Sequence, residues 1–278
     1  MSTLMQSYDE AITLTPAGEG TLEATLTGDF SNAPIAAPPE AGPPFGGMIA
    51  ALAAGAMRQG LGLEVPLQSL SVQYLSASRY GQPLRFMPRL LRGGRTVSYS
   101  ALDVYQGPRQ THHATATWGQ SADGPVITPL AERPPALDSL DPARQLDGGM
   151  SPRFTRHVDY RFADGPNLFG GNAGRAPVER VWMRMKQGGA LDHGRLCYLL
   201  DALYPPSWTA LASPPMMTTV DLRYDFLCAD PGAKAPDGWA FFTFSMLDLG
   251  SGWTVDEVLC HSADGTPLAL SRQRRKLL

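Results

Sequence analysis

Between Pro43 and Met57 the chain reads PPFGGMIAALAAGAM: two prolines, one aromatic residue, a Gly-Gly pair, then ten apolar or small residues without a charge. A helix of this composition has no polar face to offer water, so it must be enclosed on nearly every side. Ala50, Ala51, Ala53, Ala54, Gly55 and Ala56 also keep it thin, which lets neighbouring backbone pack close. A curved antiparallel sheet with one buried face is the structure that encloses such a helix. The run is about half the roughly twenty residues that a membrane span requires, so no span is predicted. Gly46 and Gly47 stand before the helix or in its first turn. They carry no Cβ, so another group can approach the backbone there, where first-turn N–H groups lack intrahelical partners. Those donors and the positive helix end suit a carbonyl oxygen or an anion.

The chain repeats its own plan. Ser69-Leu-Ser-Val-Gln-Tyr-Leu-Ser-Ala77 matches Asp221-Leu-Arg-Tyr-Asp-Phe-Leu-Cys-Ala229 in alternation and in its Leu-x-Ala ending, at an offset of 221 − 69 = 152. Both read as strands. Val97 to Trp118 and Trp253 to Gln273 each read as strand, tight turn and strand, the turns being Gln106-Gly-Pro and Ser262-Ala-Asp-Gly. Helices are predicted over 47–59 and 191–203, and strands over YDEAITLTPAG, GTLEATLTGDF and FTRHVDYRF. Each copy therefore reads as strands, one helix, then three or four antiparallel strands, an α+β plan. The expected division is an N-terminal unit over 1–122, a Pro-, Gly- and Asp-rich linker over 123–152, and a C-terminal unit over 153–278. The alternative is two unrelated α+β domains of similar rhythm.

Composition narrows the function classes. With 278 residues, 43% hydrophobic and 18% charged, the chain suits two globular units of about 120 to 140 residues. A net charge of −3 excludes a nucleic acid gripped by bulk electrostatics. Cys197, Cys228 and Cys260 are odd in number and widely spaced, which is neither a disulfide framework nor a metal motif. MSTLMQSYDEA has no basic-then-apolar leader pattern, so a cytoplasmic location is expected. There is no Gly-x-Ser-x-Gly elbow, and none of the five histidines stands in a metal-like or triad-like context. His112 and His113 read as surface or packing residues.

The ordered motifs resemble the double hot-dog acyl-CoA thioesterases of the thioesterase II (TesB-like) type, over nearly the whole chain. The resemblance is carried by Phe45-Gly-Gly-Met48, PLQSLSVQYLSA, LLRGGRTVSYSALDVYQGPRQTHHATATW, Leu200-Asp201, TTVDLRYDF, Trp239 and SRQRRKLL. It implies two tandem hot-dog repeats, each an antiparallel sheet around a central helix. It also implies hydrolysis of an acyl-CoA thioester by a positioned water without a covalent nucleophile. CoA would enter as part of the substrate, with no separate cofactor and no metal. The carry-over assigns the water-holding Asp and Gln to Asp221 and Gln273. Phe45, Gly46, Gly47 and Met48 become substrate-binding candidates, opposite that pair in a pocket formed across both halves.

The family hydroxyl, counted from Trp239, falls near Leu247-Asp248, where there is no Ser or Thr; Thr243, Ser245 and Ser251 are the substitutes in view. Asp201, on the second predicted helix just before Tyr204-Pro-Pro, also resembles a family position, and is read here as a cap or a buried hydrogen-bonding group. Two readings stand side by side: a thioesterase, or a hot-dog module that binds acyl-CoA without turnover. A hydroxyl within reach of the Asp and the Gln separates them. A hot-dog dehydratase is a weaker third. A homo-oligomer is expected, because such sheets expose edges and faces that pair.

Overall fold

The computed structural model describes residues 5–142, 146–165, 168, 175–213 and 215–278. Among them, twelve strands form one antiparallel sheet. In chain order they are β1 (Thr15–Pro16), β2 (Leu22–Ala24), β3 (Leu67–Tyr74), β4 (Leu84–Arg92), β5 (Val97–Gln106) and β6 (Arg109–Gly119). The second set is β7 (Val158–Phe162), β8 (Val178–Met185), β9 (Met217–Phe226), β10 (Ala240–Gly250), β11 (Trp253–His261) and β12 (Pro267–Leu277). The helices are α1 (Tyr8–Ala11), α2 (Gly46–Leu61), α3 (His193–Leu199) and α4 (Pro231–Lys234).

The spatial order is β1-β2-β4-β5-β6-β3-β9-β12-β11-β10-β8-β7. Read outward from the centre, the second half is the first with six added to each strand number. This is the double hot-dog fold. The halves meet where β3 pairs with β9, with Ser71 opposite Arg223 and Ser69 opposite Asp225. The internal offset is 223 − 71 = 152, the offset read from the sequence. A residue and its own repeat equivalent thus face each other, and a pseudo-twofold axis passes between them.

The enclosed helix is α2. Its residues from Gly47 to Ala54, together with Ala56 and Met57, are buried. It ends on Gly62 in the left-handed conformation at φ 61°, where a side chain would be strained. α3 packs beside it between the two half-sheets and is shorter than the predicted 191–203. Leu200 takes the C-cap, and Asp201 and Ala202 turn back on the carbonyls of Tyr198 and Leu199 before Pro205-Pro206. Two other expectations are corrected. Tyr8–Ala11 is a helical turn rather than a strand, because Ser7 and Glu10 form a reciprocal capping box. Arg153–His157 is a 3-10 turn, and the strand predicted from Phe154 starts at Val158. No helix among the described residues is long and apolar enough to cross a membrane.

Ala53 of α2 is buried among core side chains. Ala53→Leu is expected to destabilise the fold by about 1–3 kcal/mol through overpacking, read as a lower midpoint in urea denaturation.

Candidate functional site

A cavity of about 740 Å³ opens where the two halves meet. The first half contributes Phe45 and Gly46 at the start of α2, Tyr74 at the end of β3 with Leu75 after it, and His112 of β6; the second contributes Asp201, Trp208, Thr218, Thr219 and Arg275. Part of the segment predicted as a linker, including Leu146 and Met150, closes one side.

Gly46 and Gly47 are required by close approach. A Cβ on Gly46 would stand 2.9 Å from the Asp201 Oδ2 and 3.2 Å from the Tyr74 hydroxyl oxygen. A Cβ on Gly47 would stand 2.8 Å from the Tyr198 carbonyl oxygen and 2.7 Å from the Phe45 ring. The N-cap residue Phe45 makes no capping bond through its side chain, and the Gly47 N–H instead faces the Asp201 carboxylate. A carboxylate thus caps the positive end of a helix from the other half of the molecule. The Tyr74 hydroxyl donates to the Gly46 carbonyl at 2.9 Å and closes the same corner.

Asp201 is 7% exposed and Gln273 is 3% exposed. The Gln273 Nε2 donates to the Asp201 Oδ1 at 3.0 Å and to the Thr219 Oγ1 at 2.6 Å. Its Oε1 accepts from the Arg275 guanidinium at 2.5 Å. Arg275 also pairs with Asp256, whose other oxygen accepts from the Thr254 hydroxyl at 3.1 Å. Burial raises the Asp201 pKa to about 6, against the lowering effects of Arg275, Gln273 and the Gly47 N–H. Burial also lowers His112 to about 4, so its imidazole is neutral in the cavity wall, with its Nδ1 3.0 Å from the Thr111 hydroxyl. His113 instead sits 2.7 Å from Asp103, half-buried.

The site differs from the expectation in its carboxylate and its hydroxyl. Asp221 does not meet Gln273. In the β9–β12 ladder Asp221 opposes Arg274, while Thr219 opposes Arg275, so Val220 is an extra residue in a bulge. Without the bulge, period-2 alternation would put Thr219 and Asp221 on one face; the extra residue sends them to opposite faces. Thr219 turns inward to the cavity, and Asp221 is not among its lining residues. The carboxylate beside Gln273 is Asp201, which the sequence reading treated as a cap or a buried hydrogen-bonding group. The hydroxyl is Thr219. Leu247 is the extra residue of another bulge and is exposed with Asp248, while Thr243 and Ser245 alternate with the inward Phe242 and Phe244. Ser251 lies in the β10–β11 turn at φ 52°. Of the substrate-binding candidates, Phe45 and Gly46 line the cavity, Gly47 reaches it through its N–H, and Met48 lies in the core. Among the described residues no group of three or more His, Cys, Asp and Glu side chains is placed to hold a metal ion.

The pseudo-twofold axis offers an internal control. Gln273 opposes Leu222 of β9 and Asp256 of β11; 152 residues before Leu222, Leu70 opposes Ala116, which opposes Ser100. Thr219 and Arg275 correspond in the same way to Leu67 and Trp118, across a bulge that recurs between Leu67 and Ser69. Counting from the helix starts (193 − 46 = 147), Asp201 corresponds to Ala54. The mirror position is therefore apolar: Ala54, Leu67, Ala116 and Trp118 are buried, and the Trp118 N–H donates to the Ser100 hydroxyl at 2.8 Å. Among the described residues the polar cluster stands on one side of the axis, and its mirror is filled by largely apolar side chains.

The Asp201 charge costs the fold stability. Its folded pKa of about 6 lies above the ordinary 3.8, so its stabilising contribution is full below pH ~4 and is lost as pH rises through 6. The loss amounts to about 3 kcal/mol above that pH. Asp201→Asn is expected to melt at a higher temperature than wild type at pH 8, the difference vanishing toward pH 4 in thermal melts.

The model of the acyl-CoA thioesterase N-terminal domain matches residues 34–119, and that of the acyl-CoA thioesterase C-terminal domain matches residues 130–274. No curated protein sequence matches significantly. Among solved structures, a conserved hot-dog-fold protein of unknown function from Alicyclobacillus acidocaldarius superposes with a TM-score of 0.85 at 19% identity, covering 98% of this chain and 97% of that one. Acyl-CoA thioesterase II TesB2 from Mycobacterium marinum does so at 0.74 and 16% identity, with 98% of both chains covered. The dehydratase domain of RzxB from Pseudomonas fluorescens reaches 0.55 at 12% identity, over 92% of this chain and 93% of that one, so the shared feature at this level is the fold. With family models matched in both halves, the chain belongs to the acyl-CoA thioesterase family.

Proposed function

We propose that the protein hydrolyses acyl-CoA thioesters to free acid and CoA, with Asp201 as the general base. Thr219 holds the attacking water beside it, and Gln273 fixes Asp201 and Thr219 relative to each other. The observation that carries this reading is the threefold meeting at Gln273: one amide nitrogen 3.0 Å from a buried carboxylate and 2.6 Å from a hydroxyl at a cavity wall. The Gln273 Nε2 spends its two hydrogens on Asp201 and Thr219, so the Thr219 oxygen accepts there and its own hydrogen remains for a third partner. A water bridging Thr219 and Asp201 would accept from one and donate to the other.

The chemistry balances simply. The water oxygen bonds to the thioester carbonyl carbon as its proton passes to Asp201. The oxyanion forms near the positive end of α2, where first-turn N–H groups lack intrahelical partners. The intermediate collapses, the C–S bond breaks, and the proton returns from Asp201 to the CoA sulfur. The fatty or aromatic acyl part would occupy the apolar portion of the cavity, among Phe45, Phe154, Leu203, Trp208 and Met217. Asp221, on the outer face, takes no part. Pairing of sheet edges and of the exposed Met87, Leu90 and Leu91 of β4 would make the working form a homo-oligomer.

CoA release from short-, medium- and long-chain and aryl acyl-CoAs tests the proposal. Asp201→Asn, Gln273→Ala and Thr219→Val are each expected to lower kcat/KM by about 10²-fold or more, while Asp221→Asn stays within about twofold of wild type. Because the base works ionised and its pKa is about 6, kcat/KM should rise with pH through that value to a plateau. Loss of activity in Asp221→Asn instead would sink this assignment. Saturable binding with no turnover would favour a binding module.

A further inference from the structure

Arg275 is a buried cation that the hydrolytic scheme above leaves unused. It is 7% exposed, and its ion-pair partner Asp256 is 1% exposed. We propose that Arg275 is a positioning residue for that scheme: anchored on Asp256, it holds the Gln273 amide in the one orientation that turns the NH2 toward Asp201 and Thr219, and it keeps Asp201 ionised. The proposal rests on the hydrolytic reading for its purpose and on geometry for its content.

An amide can be turned either way, and its partners decide. A guanidinium only donates. The Arg275 nitrogen 2.5 Å from Gln273 therefore requires the amide oxygen there, which sends the nitrogen to the far end, against Asp201 and Thr219. With the amide reversed, its oxygen would face a carboxylate and its NH2 a guanidinium. Arg275 itself is oriented from behind by Asp256, which Thr254 holds. A chain of contacts thus runs Thr254–Asp256–Arg275–Gln273–Asp201, from the interior to the cavity.

The first half holds neutral side chains at the matching positions. At the mirror positions, Trp118 donates to Ser100 beside Ala116, and the same sheet closes over the same kind of core. Replacing a buried ion pair with well-packed neutral groups is often neutral or stabilising. The second half keeps an arginine, an aspartate and a glutamine where the first manages with tryptophan, serine and alanine. That difference coincides with the half that holds the carboxylate.

The charge has a direction of effect. A guanidinium nitrogen lies 3.8 Å from the Asp201 Oδ1 and favours the carboxylate against its desolvation. The other groups facing Asp201 are Gln273 on β12, Tyr224 on β9, the Gly47 N–H on α2, Tyr74 on β3 and Tyr198 on α3. Burial holds the three phenols protonated. Arg275 is left as the cation acting on Asp201 among the described residues, and burial lowers it only to about 10, so it is charged at neutral pH.

The test reads Asp201 directly. In the full-length protein labelled with 13C at aspartate carboxyls, the Asp201 signal is assigned by its loss in Asp201→Asn and titrated in wild type, Arg275→Lys and the charge-neutral pair Arg275→Gln/Asp256→Asn. The pair should raise the Asp201 midpoint by about one unit or more, a tenfold tighter proton. The acid limb of kcat/KM should move with it. Arg275→Lys should keep the midpoint near wild type, because the charge remains. It should lose about tenfold in kcat at similar KM, because an ammonium lacks the fork that spans Asp256 and the amide. An unmoved midpoint in the folded pair overturns the proposal. If the pair fails to fold, wild-type kcat in Arg275→Lys overturns it. A midpoint that moves while kcat/KM ignores it leaves the hold of Arg275 on Asp201 standing and counts against the hydrolytic reading instead.

Discussion

The pairing of β3 with β9 is the contact on which everything else is built. It joins two half-sheets into one and sets Ser71 against Arg223, its own repeat equivalent, so the register is self-consistent under the pseudo-twofold axis. Because a one-residue slip would turn every inward side chain outward, this register also decides which residues reach the interior on both sides. α2 and α3 then lie side by side between the halves. The start of α2 comes within reach of the residues that follow α3, and the cavity opens at that meeting.

The two halves share a backbone plan and part in chemistry at five matched positions around the site. Ala54, Leu67, Ser100, Ala116 and Trp118 make a nearly apolar filling, while Asp201, Thr219, Asp256, Gln273 and Arg275 make a connected polar chain. Burying charges in a core is unfavourable unless they are paired and hydrogen-bonded, and here every member of the polar chain contacts another. Burial still holds the Asp201 pKa at about 6, above that of an ordinary aspartate. A carboxylate with that affinity for protons is better matched to proton transfer near neutral pH than an exposed one, and the fold carries the strain of keeping it.

Much of this architecture was legible in the residues. The enclosed helix followed from PPFGGMIAALAAGAM, and the doubled plan followed from the 152-residue offset. Gln273 was singled out, and so were the glycines at the start of α2. Asp221, carried over from the resemblance, and the hydroxyl counted from Trp239 to near Leu247 are not the groups that meet at Gln273. Alternation along TTVDLRYDF puts Thr219 and Asp221 on one face, and the bulge at Val220 separates them. A bulge leaves little trace in a single sequence, since Val220 is a good strand residue in either geometry. Asp201 looked like a helix-end residue because the predicted helix ran to 203. The chain instead leaves α3 at Leu199, which frees the aspartate to cross to the other half.

By itself, then, the sequence determined which segments could be buried and in what order they repeat, because hydrophobic period and glycine placement are local properties of the chain. It also supplied both members of each polar contact in the site. Which aspartate stands beside Gln273 was decided only by the tertiary structure. That choice depends on the parity of a bulged strand, the length of a short helix and the register across the pseudo-twofold axis. Each of these is set by packing between segments far apart in the chain.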